Sequence, residues 1–221
     1  MKALVFQIIK KAPFYYRLRN WRSRTRQNAE LTAWEQNGKP VPPPHIVKQR
    51  TLREYSKEYD LRILVETGTY LGDMIEAVKD DFDRIYSIEL SRSLYENALI
   101  RFKRAHDVEL IHGDSARELE RLLSALSQPA LFWLDGHYSG GGTAKGEKDT
   151  PVFEEVSHIL NSKDLGHVII IDDARCFGND PAYPSIEDLS SFVRSRRSNV
   201  SIAVQDDSIR ITPRRESNHA V

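Results

Sequence analysis

Five short apolar runs, each with a carboxylate or a glycine at or next to its end and each followed by a stretch of helical length, constrain this chain more than any other feature. They are "LRILVE" (61–66), "RIYSIEL" (84–90), "VELIHG" (108–113), "ALFWLD" (130–135) and "HVIIIDD" (167–173). Helices are expected between and after them over 72–80, 92–105, 115–127, 151–162 and 185–197, with a further amphipathic one over 46–59. The segments "ILV", "ALFWL" and "VIII" are apolar at every position, which requires burial on both faces and so a parallel sheet covered by helices. "VSIAVQ" (200–205) and "SIRIT" (208–212) then pair as a hairpin around Asp206-Asp207. Strand and helix in strict alternation, closing on a hairpin, predict a doubly wound α/β sheet.

The segments before this alternation differ in charge and composition. Residues 1–36 form a basic, aromatic extension expected to be helical, and 37–45, "NGKPVPPPH", a proline-rich linker. The remainder, 46–221, is long enough for one well-buried α/β domain. Met1 to Asn28 holds eight Lys or Arg and no acid; the rest then has 24 basic against 32 acidic residues, a net charge of about −8. Phe6, Phe14, Tyr15, Tyr16 and Trp21 stand among those cations. Residues 1–28 therefore suit an anionic membrane surface. A helix packed on a neighbour is the plainer reading, and nucleic acid is the least favoured. The opening "MKALVFQIIKK" is too short in its apolar run for a signal peptide and lacks a small-residue cleavage site. No 18-residue apolar stretch is present to span a membrane. One cysteine, Cys176, allows no internal disulfide and fits a reducing cytoplasm. Peripheral membrane contact and a homo-oligomer are both compatible with this reading.

Ligands of doubly wound sheets bind beyond the carboxyl ends of the strands, so what stands there carries the functional reading. The first run leads into "ETGTYLGD", where Gly68 and Gly72 allow a tight turn and close approach to backbone N–H groups at a helix start. A plain turn is the competing reading, and G-x-G-x-x-G, the dinucleotide fingerprint, is absent. Glu89 follows Gly68 by 21 residues, placed to accept from ribose hydroxyls or to sit favourably at a helix N-terminus. Asp114 can contact an adenine amino group or cap the next helix, and Ser115 competes for the cap. Asp135 ends the fourth run and Asp172-Asp173 the fifth. Three carboxylates at neighbouring strand ends suit Mg²⁺ or a similar hard cation, the alternative being capping and an ion pair with Arg175.

"ETGTYLG", Glu89 after "IYSI", "GDS", "LDG" and "IIIDD" stand in the order and spacing of class I S-adenosylmethionine-dependent methyltransferases, and the chain resembles that family over about residues 60–212. Within it, "WLDG" followed by "IDD" is similar to the metal-dependent sugar O-methyltransferases of the macrocin and mycinamicin type. The resemblance implies a seven-stranded, mostly parallel Rossmann-like sheet with its last strand antiparallel. It implies S-adenosylmethionine as cofactor, contacted by Glu66, Gly68, Thr69, Tyr70, Gly72, Glu89, Asp114, Ser115 and Asp135. It also implies Mg²⁺ on Asp135, Asp172 and Asp173. Two departures stand out: only Gly68 and Gly72 remain of the family's three glycines, and "HYSGGGTAKGEKDTP" (137–151) is not part of the sugar-methyltransferase pattern.

Methyl transfer from a sulfonium needs mainly alignment, plus removal of a proton from a hydroxyl acceptor. His137 is the natural base, with Asp135 beside it, because an imidazole titrates near neutrality. His137, Tyr138, Lys145 and Arg175 are expected to face the acceptor, a sugar, glycan or other small hydroxyl-bearing molecule, and Gly140 to Gly142 to let 143–148 close over it. A methyltransferase fold kept as a non-catalytic binding or scaffold protein is a second reading. A nicotinamide-dependent reductase is a third, against which the missing fingerprint counts.

Overall fold

The computed structural model describes residues 26–136 and 151–214. Seven strands form one sheet: β1 (Ile63–Thr67), β2 (Arg84–Glu89), β3 (Val108–His112), β4 (Ala130–Leu134), β5 (Val168–Ile171), β6 (Val200–Gln205) and β7 (Ser208–Pro213). Their order is β3-β2-β1-β4-β5-β7-β6. The first five run parallel, while β7 is antiparallel to both β5 and β6. The expected doubly wound, mostly parallel sheet with an antiparallel last strand is therefore the fold observed. The strand sequence reverses between β1 and β4, which places the ligand-binding crevice of such a sheet at their carboxyl ends.

Both faces are covered, as the uninterrupted apolar strands require. Along β4, Leu131 and Trp133 face one layer and Phe132 and Leu134 the other, and all four are buried. β5 repeats the alternation, with Val168 and Ile170 on one face and Ile169 and Ile171 on the other. Helices α2 (His45–Glu58), α3 (Asp73–Val78) and α4 (Arg92–Phe102) supply Leu52, Ile75 and Phe102 to the first layer. Helices α5 (Ser115–Ala125), α6 (Val152–Asn161) and α7 (Ile186–Arg196) supply Leu119, Ile159 and Leu189 to the second. The described part of α1 covers 26–36.

Local chemistry sets the element ends. Ser91 accepts from the Leu94 N–H at the start of α4, and Ser185 from Asp188 at the start of α7. Asp114 caps α5 by accepting from Ala116, so Ser115 is the first helical residue and not the cap. Asp206 and Asp207 both take left-handed conformations, φ +49° and +61°, in the two-residue turn between β6 and β7. The proline-rich segment does not run straight. Trp34 of α1 donates from Nε1 to the Pro40 carbonyl at 2.7 Å and packs with Leu31 and Val47. No helix among the described residues is long and apolar enough to cross a membrane.

Phe132 is fully buried between β4's two neighbours and α5 to α7. Phe132→Ala is expected to lower the unfolding free energy by about 3–5 kcal/mol, through lost transfer energy plus an unfilled cavity. A urea titration followed by circular dichroism checks this.

Candidate functional site

The carboxyl edge of the sheet gathers acids, and the structure stabilises each in a different way. At the end of β1, Glu66 is almost wholly buried and accepts from Ser87 Oγ at 2.5 Å. The Thr69 hydroxyl lies 2.6 Å from the same Ser87 oxygen, so it turns into the protein. Burial pushes the Glu66 carboxyl up to about 8; the Ser87 hydrogen bond opposes this, and the negative Asp135 and Glu89 add to it. Glu66 is consequently neutral at pH 7.

Gly68 follows with φ +86°. A Cβ there would stand 2.5 Å from the Asp135 carbonyl oxygen and 3.1 Å from Gly136 Cα, so only glycine lets the loops after β1 and β4 lie against each other. At Gly72, with φ +74°, a Cβ would meet the Phe102 ring at 2.6 Å. The glycine serves the contact between α3 and α4. Tyr70, exposed and at φ +47°, donates its N–H to Glu89 Oε2 at 2.8 Å. The other Glu89 oxygen accepts from Ser91 N–H at 2.8 Å. Glu89 thus ties the loop after β1 to the loop after β2, and each of its oxygens retains a second lone pair for a ligand.

Asp135, Asp172 and Asp173 come together as their positions at neighbouring strand ends suggest. One oxygen from each lies within 4.8 Å of the others. Asp172 is buried and donates its N–H to Leu134 O at 3.0 Å; Asp173 is buried with φ +57°. The cation among them is a side chain. Lys48, from α2, places Nζ on Asp172 Oδ2 and 3.9 Å from Asp173 Oδ1. Burial pulls this ammonium down, but Asp172, Asp135 and Asp173 outweigh burial and hold it above the ordinary lysine value. Arg175 approaches from the other side, with Nη1 2.7 Å from Asp173 Oδ1 and also on Asp207 Oδ2. Asp207 accepts the Arg175 N–H as well, at 2.9 Å. The guanidinium expected to reach the acceptor is held by two carboxylates of its own chain.

A divalent ion needs several oxygen donors close around it, at about 2.0–2.1 Å for Mg²⁺. Here the best-buried donor, Asp172, already has an ammonium on Oδ2. With Lys48 in place, the residues present do not fit the Mg²⁺ that the family resemblance implies.

Beside Asp172 a small, partly open hollow is lined by Gly136, Pro151, Glu155, Asp172 and Tyr183, among others. Glu155 is buried at its wall, and Thr67 Oγ1 is buried below Gly136 without a hydrogen bond. His137, Tyr138 and Lys145 lie outside the described residues. Lys48, Ser87, Glu155 and Asp207 are site residues that sequence reasoning did not identify. For Lys48 a signal existed. It precedes the fully buried Leu52 by four positions, so a lysine stands on the apolar face of α2.

Comparison with protein-family models finds no match for the chain, and comparison with curated proteins finds none either. Solved structures do match. The O-methyltransferase TomG from Streptomyces achromogenes, involved in tomaymycin synthesis and solved with S-adenosylmethionine, is similar with a TM-score of 0.57 and 20% identity, over 86% of this chain and 89% of that one. An O-methyltransferase from Bacillus cereus, in complex with S-adenosylhomocysteine, gives 0.56 at 16% identity over 85% and 90%. The S-adenosylhomocysteine-bound methyltransferase PaMTH1 from Podospora anserina gives 0.54 at 16% over 85% and 88%. The fold is the Rossmann-like methyltransferase fold. In that fold, the crevice between β1 and β4 holds Gly68 and Glu66 on one side and Asp135 on the other.

The Glu66 shift has a consequence for stability. The unfolded chain ionises this carboxyl near 4.5 and the folded chain near 8, so between those values the folded state keeps a proton that the unfolded state has lost. The contribution is fully present below the lower value and is lost as pH rises through the upper one. Glu66→Gln, neutral in both states, is expected to show a smaller fall in Tm than wild type between about pH 5 and pH 8, measured by scanning calorimetry.

Proposed function

We propose that this protein is an S-adenosylmethionine-dependent methyltransferase acting on an oxygen of a small hydroxyl-bearing acceptor, a sugar or glycan. The observation that carries the reading is the acidic crevice at the β1/β4 switch point, framed by Glu66, Glu89 and Asp135 around the Gly68 turn. S-adenosylmethionine carries both an ammonium and a sulfonium, which the carboxylates of Glu89 and Asp135 suit, while the protonated Glu66 offers hydrogen bonding. The ribose hydroxyls need an acceptor, which Glu89 offers in a fixed orientation. Glu66 and Asp135 would face the amino-acid end, and Asp114 and Ser115 the adenine end. Thr69, Tyr70 and Gly72 shape the loop between them. The cofactor supplies an electrophilic methyl group on a leaving sulfur.

The chain's own part in the reaction is alignment and deprotonation. His137, with Asp135 beside it, takes the acceptor's hydroxyl proton. The acceptor oxygen forms its bond to carbon as the sulfur–methyl bond breaks. Tyr138 and Lys145 contact the acceptor, and Glu155 and Asp172, which line the hollow beside Gly136, offer hydrogen-bond acceptors to sugar hydroxyls. Arg175, shared between Asp173 and Asp207, adds a fixed positive charge at its edge. Mg²⁺ has no part in this scheme, because Lys48 occupies the acidic cluster. Within the basic extension at 1–36, residues 1–28 suit an anionic membrane surface, and the extension is joined through 37–45 to a cytoplasmic catalytic domain at 46–221.

S-adenosylhomocysteine at about 1 mM is expected to raise the Tm of the wild-type chain by several degrees, as a ligand well above its Kd does. Glu89→Ala is expected to weaken that binding at least tenfold by isothermal titration calorimetry, about 1.4 kcal/mol or more. Absence of any shift with either S-adenosylmethionine or its product would overturn the assignment.

A further inference from the structure

The acidic cluster at the ends of β4 and β5 poses an electrostatic problem that the methyl-transfer chemistry does not answer. Asp135, Asp172 and Asp173 bring oxygens within 4.8 Å of one another, and Asp172 and Asp173 are buried. Carboxylates so placed need a cation between them. The usual answer for three hard oxygens is a divalent ion. This chain answers with Lys48, delivered by α2, a helix that precedes the alternating strands and helices altogether.

Its placement is specific. The side chain is 18% exposed and ends on Asp172 Oδ2, with Asp173 Oδ1 at 3.9 Å. Asp172 Oδ1 stays buried without a hydrogen bond, on a carboxylate whose other oxygen holds the ammonium. On the far flank Arg175 joins Asp173 to Asp207. An incoming divalent ion would have to displace Nζ or stand beside it, and two cations that close repel strongly.

We propose that Lys48 is this protein's built-in substitute for a divalent cation, a positioning residue that neutralises and aligns Asp135, Asp172 and Asp173 so that no metal enters the cluster. The assignment concerns cation occupancy alone and stands apart from the identity of the methyl acceptor. The same cluster then becomes a metal site once the ammonium is removed, since the three carboxylates remain on rigid strand ends.

Mn²⁺ alone serves as the probe, titrated into the full-length chain while the electron paramagnetic resonance signal of the free ion is followed. Wild type is expected to leave that signal undiminished. Lys48→Met, which keeps the stem and loses the charge, is expected to take up one equivalent with affinity roughly tenfold or more above wild type. Adding Asp172→Asn to it is expected to abolish the uptake. If Lys48→Met is unstable on its own, Lys48→Gln is titrated in the same way, and recovery of folded protein by Mn²⁺ is the supporting result. One equivalent of Mn²⁺ bound by wild type and lost in Asp172→Asn would overturn the proposal. So would Lys48 variants that neither bind the ion nor are stabilised by it. None of these readings requires methyltransferase activity, and S-adenosylhomocysteine binding reports on that activity separately.

Discussion

Carboxylates held at the buried end of an apolar sheet are the constraint around which this molecule is arranged. The strands that bring them there must be apolar on both faces to sit in the middle of a doubly wound sheet. The acids themselves cannot be charged and unaccompanied in such surroundings. Each is relieved by other means. Glu66 keeps its proton and a serine hydrogen bond. Glu89 is satisfied by two backbone N–H groups from two loops. Asp172 takes an ammonium, and Asp173 shares a guanidinium with Asp207.

These local remedies also assemble the site. The Glu89 hydrogen bonds lock the loop after β1 to that after β2, and they do so by holding Tyr70 in a left-handed conformation that non-glycine residues rarely adopt. Asp207 pins the segment after β5 to the β6–β7 turn, accepting from both the backbone and the side chain of Arg175. Lys48 fastens α2 across the end of β5. Breaking a buried pair of this kind by removing one partner is costly, about 3–5 kcal/mol, because it leaves a charge without compensation. The groups that line the crevice are in this way the same ones that hold its walls in register.

Much of this was legible in the chain. The alternating apolar runs and their turns placed all seven strands, and the unbroken apolar character of "ALFWL" and "VIII" required helices on both sides. The acids at the strand ends were visible as a set because the carboxyl edge of a parallel sheet is a single surface, however far apart its residues lie in sequence. Gly68 was marked as a turn glycine, although its deeper reason, the Asp135 carbonyl 2.5 Å from where a Cβ would be, involves a residue 67 positions later. Gly72 read as ligand approach, and a Cβ there would also meet the Phe102 ring at 2.6 Å, a helix-packing use. Patterns of hydrophobicity do not distinguish those uses.

Sequence by itself determined the architecture and the acidic character of the crevice, because both follow from periodicities and from what ends each strand. Which cation answers the acids was decided only in three dimensions. Lys48 stands 124 residues from Asp172, on a helix outside the repeating pattern, and no spacing rule connects them. Three aspartates with an open centre favour a divalent ion; three aspartates with an ammonium already among them do not. That difference rests on how α2 packs against the end of the sheet, a long-range contact that one-dimensional patterns do not encode.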